Sequence, residues 1–134
     1  MLFRSRTGMA NRTFVFFFSD NGAIGAGSNR PFRGGKFSHY EGGHRVPAIA
    51  WWPGKIKAGG TTDELTVAMD LLPTFTEIAQ VDLPSNRRLD GVSLRGLLLN
   101  GDDLPKRQVF FGYEPKLGTA MRDGKWKIDR KRGA

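Results

Sequence analysis

Asp20 and Asn21 stand side by side, offering a carboxylate and an amide oxygen. Such hard donors suit Ca²⁺ or Mg²⁺ rather than a thiophilic metal. Sixteen positions on (36 − 20) comes Lys36, closing the glycine-rich run Gly34-Gly35-Lys36. A lysine folded back beside a divalent ion makes sense when an oxyanion bridges the two cations, because otherwise they repel. Plainer uses exist for the same residues. Asp-Asn-Gly is common turn chemistry, and loop lysines are mostly solvated surface. Glu41 and Arg45, four apart across Gly42-Gly43, can pair and pin the loop. His39 is close enough in sequence to Lys36 to approach such a site.

These groups need elements to position them. Thr13 to Ser19 is a dense run of aromatic and β-branched residues, stopped by Asp20-Asn21-Gly22. The run predicts a strand buried on both faces, as in a parallel sheet covered by helices. Ligands bind outside the carboxyl ends of such strands. Ala48 to Trp52, closed by Pro53-Gly54, predicts a neighbouring central strand. Between the two, residues 22–43 form a glycine-rich loop of a length that is usually functional or disordered.

Further on, Asp70 predicts the N-cap of a helix that packs on these strands. Pro73 falls in its first turn, Leu72, Phe75, Ile78 and Ala79 line its inward face, and Pro84 stops it. Ser93 caps a short helix, Leu94 to Leu99, closed by Asn100-Gly101. Val109 to Tyr113 predicts a third strand. Thr119 to Arg122 and Lys125 to Ile128, joined by Asp123-Gly124, predict a hairpin with a type I′ turn. Two strands and one long helix cannot cover both faces of a parallel sheet. The pattern therefore predicts an α/β piece of a larger protein, with more strands and helices ahead of Thr13. Alone, such a piece should be poorly stable or aggregate.

Composition sets outer bounds. At 134 residues, 25% charged and 39% hydrophobic, the chain has globular values. Its net charge of +8 and pI near 10.3 favour anionic partners in general terms. Much of that charge lies in Arg4, Arg6 and Arg12 at one end and in residues 125–132 at the other. The absence of Cys excludes a disulfide framework, thiol catalysis and a zinc-thiolate site. No apolar stretch approaches the ~20 residues that span a bilayer, so no membrane partner is expected. Met1 to Arg12 carries arginines without an apolar core and does not read as a signal peptide, which leaves the compartment open. The aromatics lie in apolar runs rather than interleaved with Lys and Arg, against a specific nucleic-acid partner.

Six segments in order, SDNG (19–22), RGGK (33–36), YEGGHRVP (40–47), WWPGKI (51–56), MDLLPT (69–74) and LDGVSL (89–94), carry a resemblance. The chain from about Thr13 to Ile128 is identified as a member of the type I sulfatases, in the alkaline-phosphatase-like superfamily. The resemblance implies a partial fold of that class: a mixed sheet with flanking helices, ending in a β-hairpin. It implies residues 13–104 as the second half of a sulfatase catalytic domain and 105–134 as the start of the C-terminal subdomain, with 1–12 a lead-in outside the family. By the same resemblance Asp20 and Asn21 match the pair that binds the active-site cation, Ca²⁺ with Mg²⁺ as the alternative. Lys36 matches the lysine that contacts the sulfate group. Glu41, Arg45 and Asp70 match motif positions and read as structural, and His44 takes no catalytic role.

The family's nucleophile is a formylglycine made from a Cys or Ser in a Cys/Ser-x-Pro-x-Arg motif, and no such motif occurs here. The upstream aspartates, Lys and His of the family's catalytic centre have no counterpart either. Asp102-Asp103, an acid pair in a late polar loop, does not replace them. The implied function is thus a fragment of a metal-dependent sulfuric ester hydrolase, inactive alone, acting on a sulfate ester in its full-length parent. Full-length relatives are often exported. A phosphoester or phosphonate hydrolase of the same superfamily stands as one alternative. A non-catalytic basic module binding polyanions stands as another.

Overall fold

The structure, a computed structural model, describes residues 2–83, 85–112 and 118–130. Two compact units divide the chain: Met1–Phe16 with Ile49–Leu104, and Phe17–Ala48 with Pro105–Ala134. The elements in order are α1 (Leu2–Arg6), a 3₁₀ turn (Ala10–Arg12), β1 (Val15–Phe18), α2 (Glu41–His44) and β2 (Ala48–Trp51). A second 3₁₀ turn (Ala68–Asp70) leads into α3 (Leu71–Ile78), followed by α4 (Arg95–Asn100), β3 (Gln108–Phe111), β4 (Thr119–Asp123) and β5 (Trp126–Arg130). No helix among the described residues is long and apolar enough to cross a membrane.

β1 and β2 are hydrogen-bonded neighbours, as their apolar runs predict, in a sheet of two strands. The two faces are not both covered within this chain, as expected of a piece with two strands and one long helix: Phe17 is 67% exposed and Ile49 60%. One side is anchored through Phe14, just ahead of β1, whose ring lies 5.7 Å from Trp52 and meets Phe75 of α3 edge-on at 5.7 Å.

The unit holding α3 has a polar heart, which corrects two expectations. Asp70 makes no side-chain cap to α3. Its Oδ2 accepts the N–H of Val67 at 2.8 Å and its Oδ1 that of Val92 at 3.0 Å, with the residue fully buried. Thr74 accepts the N–H of Leu94 on Oγ1 at 2.8 Å and donates to the carbonyl of Asp70. The predicted inward face is also displaced. Leu72 is 55% exposed and Ala79 is exposed, while Pro73 and Thr74 are buried. The hydrogen bonds to Val92 and Leu94 turn the Asp70–Thr74 side inward. Gly91 completes the join, since a Cβ there would lie 2.0 Å from the carbonyl oxygen of Met69. Pro84, expected to end the helix, lies outside the described residues. Ser93 accepts the N–H of Arg95 at 3.2 Å, and α4 ends at Gly101 with φ +79°.

In the other unit β3, β4 and β5 form an antiparallel sheet in that order. Val109 and Ala120 are its buried apolar residues. The predicted strand ran on to Tyr113, which lies outside the described residues. The hairpin is present with its turn one residue later, because Asp123 pairs with Trp126 and leaves Gly124-Lys125 as the loop. Only Gly124 of these two has positive φ, +53°. A type I′ turn requires it at both central positions, a type II′ turn only at the first.

Candidate functional site

β1 delivers Ser19, Asp20 and Asn21 to a turn in which the Ser19 hydroxyl donates to the carbonyl of Asn21 at 2.9 Å. Asp20 is exposed and Asn21 half-buried. Buried Gly22 then donates its N–H to the carbonyl of Gly43 at 2.8 Å. The glycine-rich loop between the two strands is stapled by Asn29. Its Oδ1 accepts the N–H of Ala23 at 2.6 Å, and its Nδ2 donates to the carbonyls of Ala23 at 2.9 Å and Gly34 at 3.1 Å. One side-chain amide thus does what a strand partner does for a backbone. Lys36 donates its backbone N–H to Ala23 at 3.3 Å, and Gly42 donates to Arg33 at 2.8 Å. Backbone bonds therefore bring SDNG, RGGK and YEGGH together.

Where they meet is an open pocket of about 480 Å³ whose walls include Asn21, Lys36, His39, His44, Phe110 and Phe111. Lys36 reaches it with its Nζ 5.4 Å over the neighbouring Phe37 ring. The structure thus brings together Asn21, Lys36 and His39, and leaves Asp20 outside the lining. Asp20 and Asn21 fit a hard cation by donor type. They do not make a complete cage, since Ca²⁺ takes six to eight oxygens. Among the described residues no group of three or more His, Asp or Glu side chains gathers to hold an ion.

Behind the pocket lies a cluster whose full membership the sequence concealed. The expected Glu41–Arg45 pair exists at 3.6 Å, but Arg45 is half exposed and lies 4.7 Å over the Phe32 ring. The closer partners of Glu41 are on the hairpin: Arg122 at 2.7 Å from Oε2, and Lys127 at 3.0 Å from Oε1. Lys127 also donates to the carbonyl of His39 at 2.6 Å, and its Nζ lies 3.0 Å from Nε2 of His44. His44 itself stacks on Phe111 at 3.9 Å. One signal could have exposed the cluster. Arg122 and Lys127 are cross-strand partners, and like charges directly opposite are unfavourable unless an acid lies between them.

Burial works to raise the Glu41 carboxyl, but the hydrogen bond and charge of Lys127, together with Arg122, outweigh it and hold the group below its ordinary 4.5. Burial is the chief reason that His44 is held below its ordinary 6.5. The carbonyl of His39 and the charge of Glu41 pull it up, while Lys127 and Arg122 add to the lowering. Nε2 of His44 stands 3.0 Å from the carbonyl of His39 and 3.0 Å from the ammonium of Lys127, and the tautomer decides whether it donates to the first or accepts from the second.

A family model described as Sulfatase matches residues 5–81. The chain is 47% identical over 109 residues to N-acetylgalactosamine-6-sulfatase of Homo sapiens, covering 77% of this chain and 21% of that protein. To an arylsulfatase of Hemicentrotus pulcherrimus it is 36% identical over 124 residues, covering 89% and 22%. Among solved structures, PsFucS1 sulfatase from Pseudoalteromonas sp. matches with TM-score 0.81 and 31% identity, over 96% of this chain and 27% of that one. Ps i-CgsB in complex with k-i-k-neocarrahexaose matches with TM-score 0.87 and 27% identity, over 96% and 30%. The chain spans about a fifth of the length of these two curated relatives. Its α/β arrangement is that of part of a sulfatase, in the alkaline-phosphatase-like class.

Proposed function

The chain belongs to the sulfatase family, and we propose that within a longer protein it serves the metal-dependent hydrolysis of sulfate esters. In this reading Asp20 and Asn21 are two of the oxygen ligands of a divalent cation, Ca²⁺ with Mg²⁺ as the alternative. Lys36 contacts the sulfate group. The observation that carries it is the shared pocket of Asn21 and Lys36, reached from motifs fifteen residues apart (36 − 21). A bound cation supplies Lewis-acid polarisation of the sulfuryl oxygens.

The chain's own residues do narrower work. Lys36 sets a compact ammonium against the sulfuryl oxygens, where charge gathers in the transition state. Asn21 presents its amide oxygen from a turn that the Gly22–Gly43 bond holds in place. Phe110 and Phe111 give the same pocket an apolar wall. Attack on sulfur is assigned to another part of the longer protein. The N-acetylgalactosamine-6-sulfatase relatives and the neighbour bound to a hexaose favour a sugar sulfate as substrate.

The test uses the full-length protein. Lys36→Ala should keep its calcium and its melting temperature while losing ~10²–10³ in sulfate-ester turnover, the usual cost of one preorganised contact. Asp20→Ala should lose the metal itself. Full turnover in Lys36→Ala would overturn the assignment.

A further inference from the structure

From the bonds of its side chain we infer that Lys127 is a positioning residue for the pocket of Asn21 and Lys36, an inference that rests on the reading of that pocket given above. Lys127 is only 13% exposed in its side chain, and its Nζ has four polar neighbours. Three are in the segment 39–44: the carbonyl of His39 at 2.6 Å, Oε1 of Glu41 at 3.0 Å and Nε2 of His44 at 3.0 Å. The fourth, Asp129 on its own strand, stands 3.7 Å away. So engaged, the ammonium has no donor to spare for a substrate.

What it holds is the hinge of the site. Gly43 in this segment accepts the N–H of Gly22, next to Asn21, and Gly42 donates to Arg33 in the turn that carries Lys36. His39 and His44 are themselves part of the pocket wall. Arg122 fixes the second oxygen of Glu41 at 2.7 Å, so the segment is gripped from two adjacent strands. Outer partners of this sort orient the ligands of a metal, and their loss typically costs ~10–100-fold in metal affinity. A guanidinium is no substitute. Polar groups converging on one point suit an ammonium, whereas Arg spreads its donors in a planar fork.

The experiment compares Lys127→Met, Lys127→Arg and Asp20→Ala with the unaltered full-length protein, all well below their melting temperatures. Three quantities are read: calcium affinity by titration of the metal-free protein, amide hydrogen exchange, and kcat against KM for a sulfate ester. Both Lys127 variants should bind calcium about tenfold more weakly. Their Gly22, Lys36 and Gly42 amides should exchange at least tenfold faster, while those of Val92 and Leu94 stay unchanged. Turnover should fall in kcat. If Lys127→Met fails to fold, Lys127→Arg carries the same expectations. Unchanged exchange at Gly22 and Gly42 in a folded variant overturns the inference. So does a lowered melting temperature with calcium affinity and kcat intact. If Asp20→Ala keeps its calcium affinity, the metal assignment of the pocket fails instead, and the exchange data still decide whether Lys127 holds the segment.

Discussion

The carbonyl oxygen of Gly42 faces Gly22 so closely that a Cβ on Gly22 would lie 1.7 Å from it. No side-chain rotation relieves such a clash, because both partners are backbone. Gly22→Ala should therefore force the Asn21 turn away from α2, at ~1–3 kcal/mol or more for an overpacked site. Gly60→Ala is the matched control, since its nearest neighbour would be the carbonyl of Lys57 at 3.6 Å. Thermal unfolding of both variants checks this. Equal melting temperatures would show that the backbones are not so close.

Asp70 makes a second prediction. Its two oxygens serve the amides of Val67 and Val92, and nothing of the residue is exposed. Asp70→Ala leaves two inward amides without an acceptor, at ~1–3 kcal/mol each. Asp70→Asn keeps one acceptor and turns an NH₂ toward the other donor, so it should fall between. Denaturant titration ranks the three proteins. If Asp70→Asn matched the unaltered protein, one of the two hydrogen bonds would be idle.

These two sites show what a sequence conceals. The apolar run 14–18, the hairpin and the end of α4 at Gly101 were legible because each is local: periodicity, a turn and a stop signal. The pairing of β1 with β2 followed from the same runs. The role of Asp70 was not legible, because its partner Val92 lies 22 positions away and helix-capping offered a nearer use for the same carboxylate. Glu41 misled in the same way. Arg45 is the partner that spacing suggests, while Arg122 and Lys127 stand 81 and 86 positions off. Asn29 gave no sign either, since an asparagine in a glycine-rich loop is ordinary turn chemistry. Residue type and spacing left Asn21 and Lys36 open to plainer readings, the resemblance singled them out, and only the backbone bonds between the motifs show how they come to share a wall.

The third prediction is a two-step loss of stability in acid. His44 is held below its ordinary 6.5, chiefly by burial. The unfolded chain therefore takes up a proton near 6.5 that the folded one still refuses, and stability falls as pH drops through that value. Glu41 lies below its ordinary 4.5 because Lys127 and Arg122 outweigh its burial. Its contribution is present above 4.5 and is lost as pH falls from there through the folded value. Unfolding free energies between about pH 8 and pH 2 should show both steps. His44→Gln should flatten the first and Glu41→Gln the second. Persistence of the first step in His44→Gln would assign it elsewhere.

Phe37 yields the last prediction. It holds φ at +72°, a left-handed backbone that costs a residue other than glycine ~1–2 kcal/mol. The turn around it imposes that shape: Ser38 donates its N–H to the carbonyl of Gly35 at 3.0 Å, and Gly35 donates to the hydroxyl of Ser38 at 3.2 Å. The exposed ring lies beneath the ammonium of Lys36 at 5.4 Å, a contact worth ~0.5–1 kcal/mol at such a site. Strain and function then pull apart. Phe37→Gly relieves the backbone at the cost of a more flexible unfolded chain, so stability should hold or rise by up to ~1 kcal/mol. Turnover of a sulfate ester by the full-length protein should fall by a few-fold, because Lys36 loses the face that steadies it. Phe37→Leu separates the two effects, since it keeps the strain and removes only the aromatic face. Its turnover should fall like that of Phe37→Gly without any gain in melting temperature. Were both variants to turn over at the unaltered rate while Lys36→Ala did not, the ring would have no part in placing the lysine, and the left-handed turn alone would aim it.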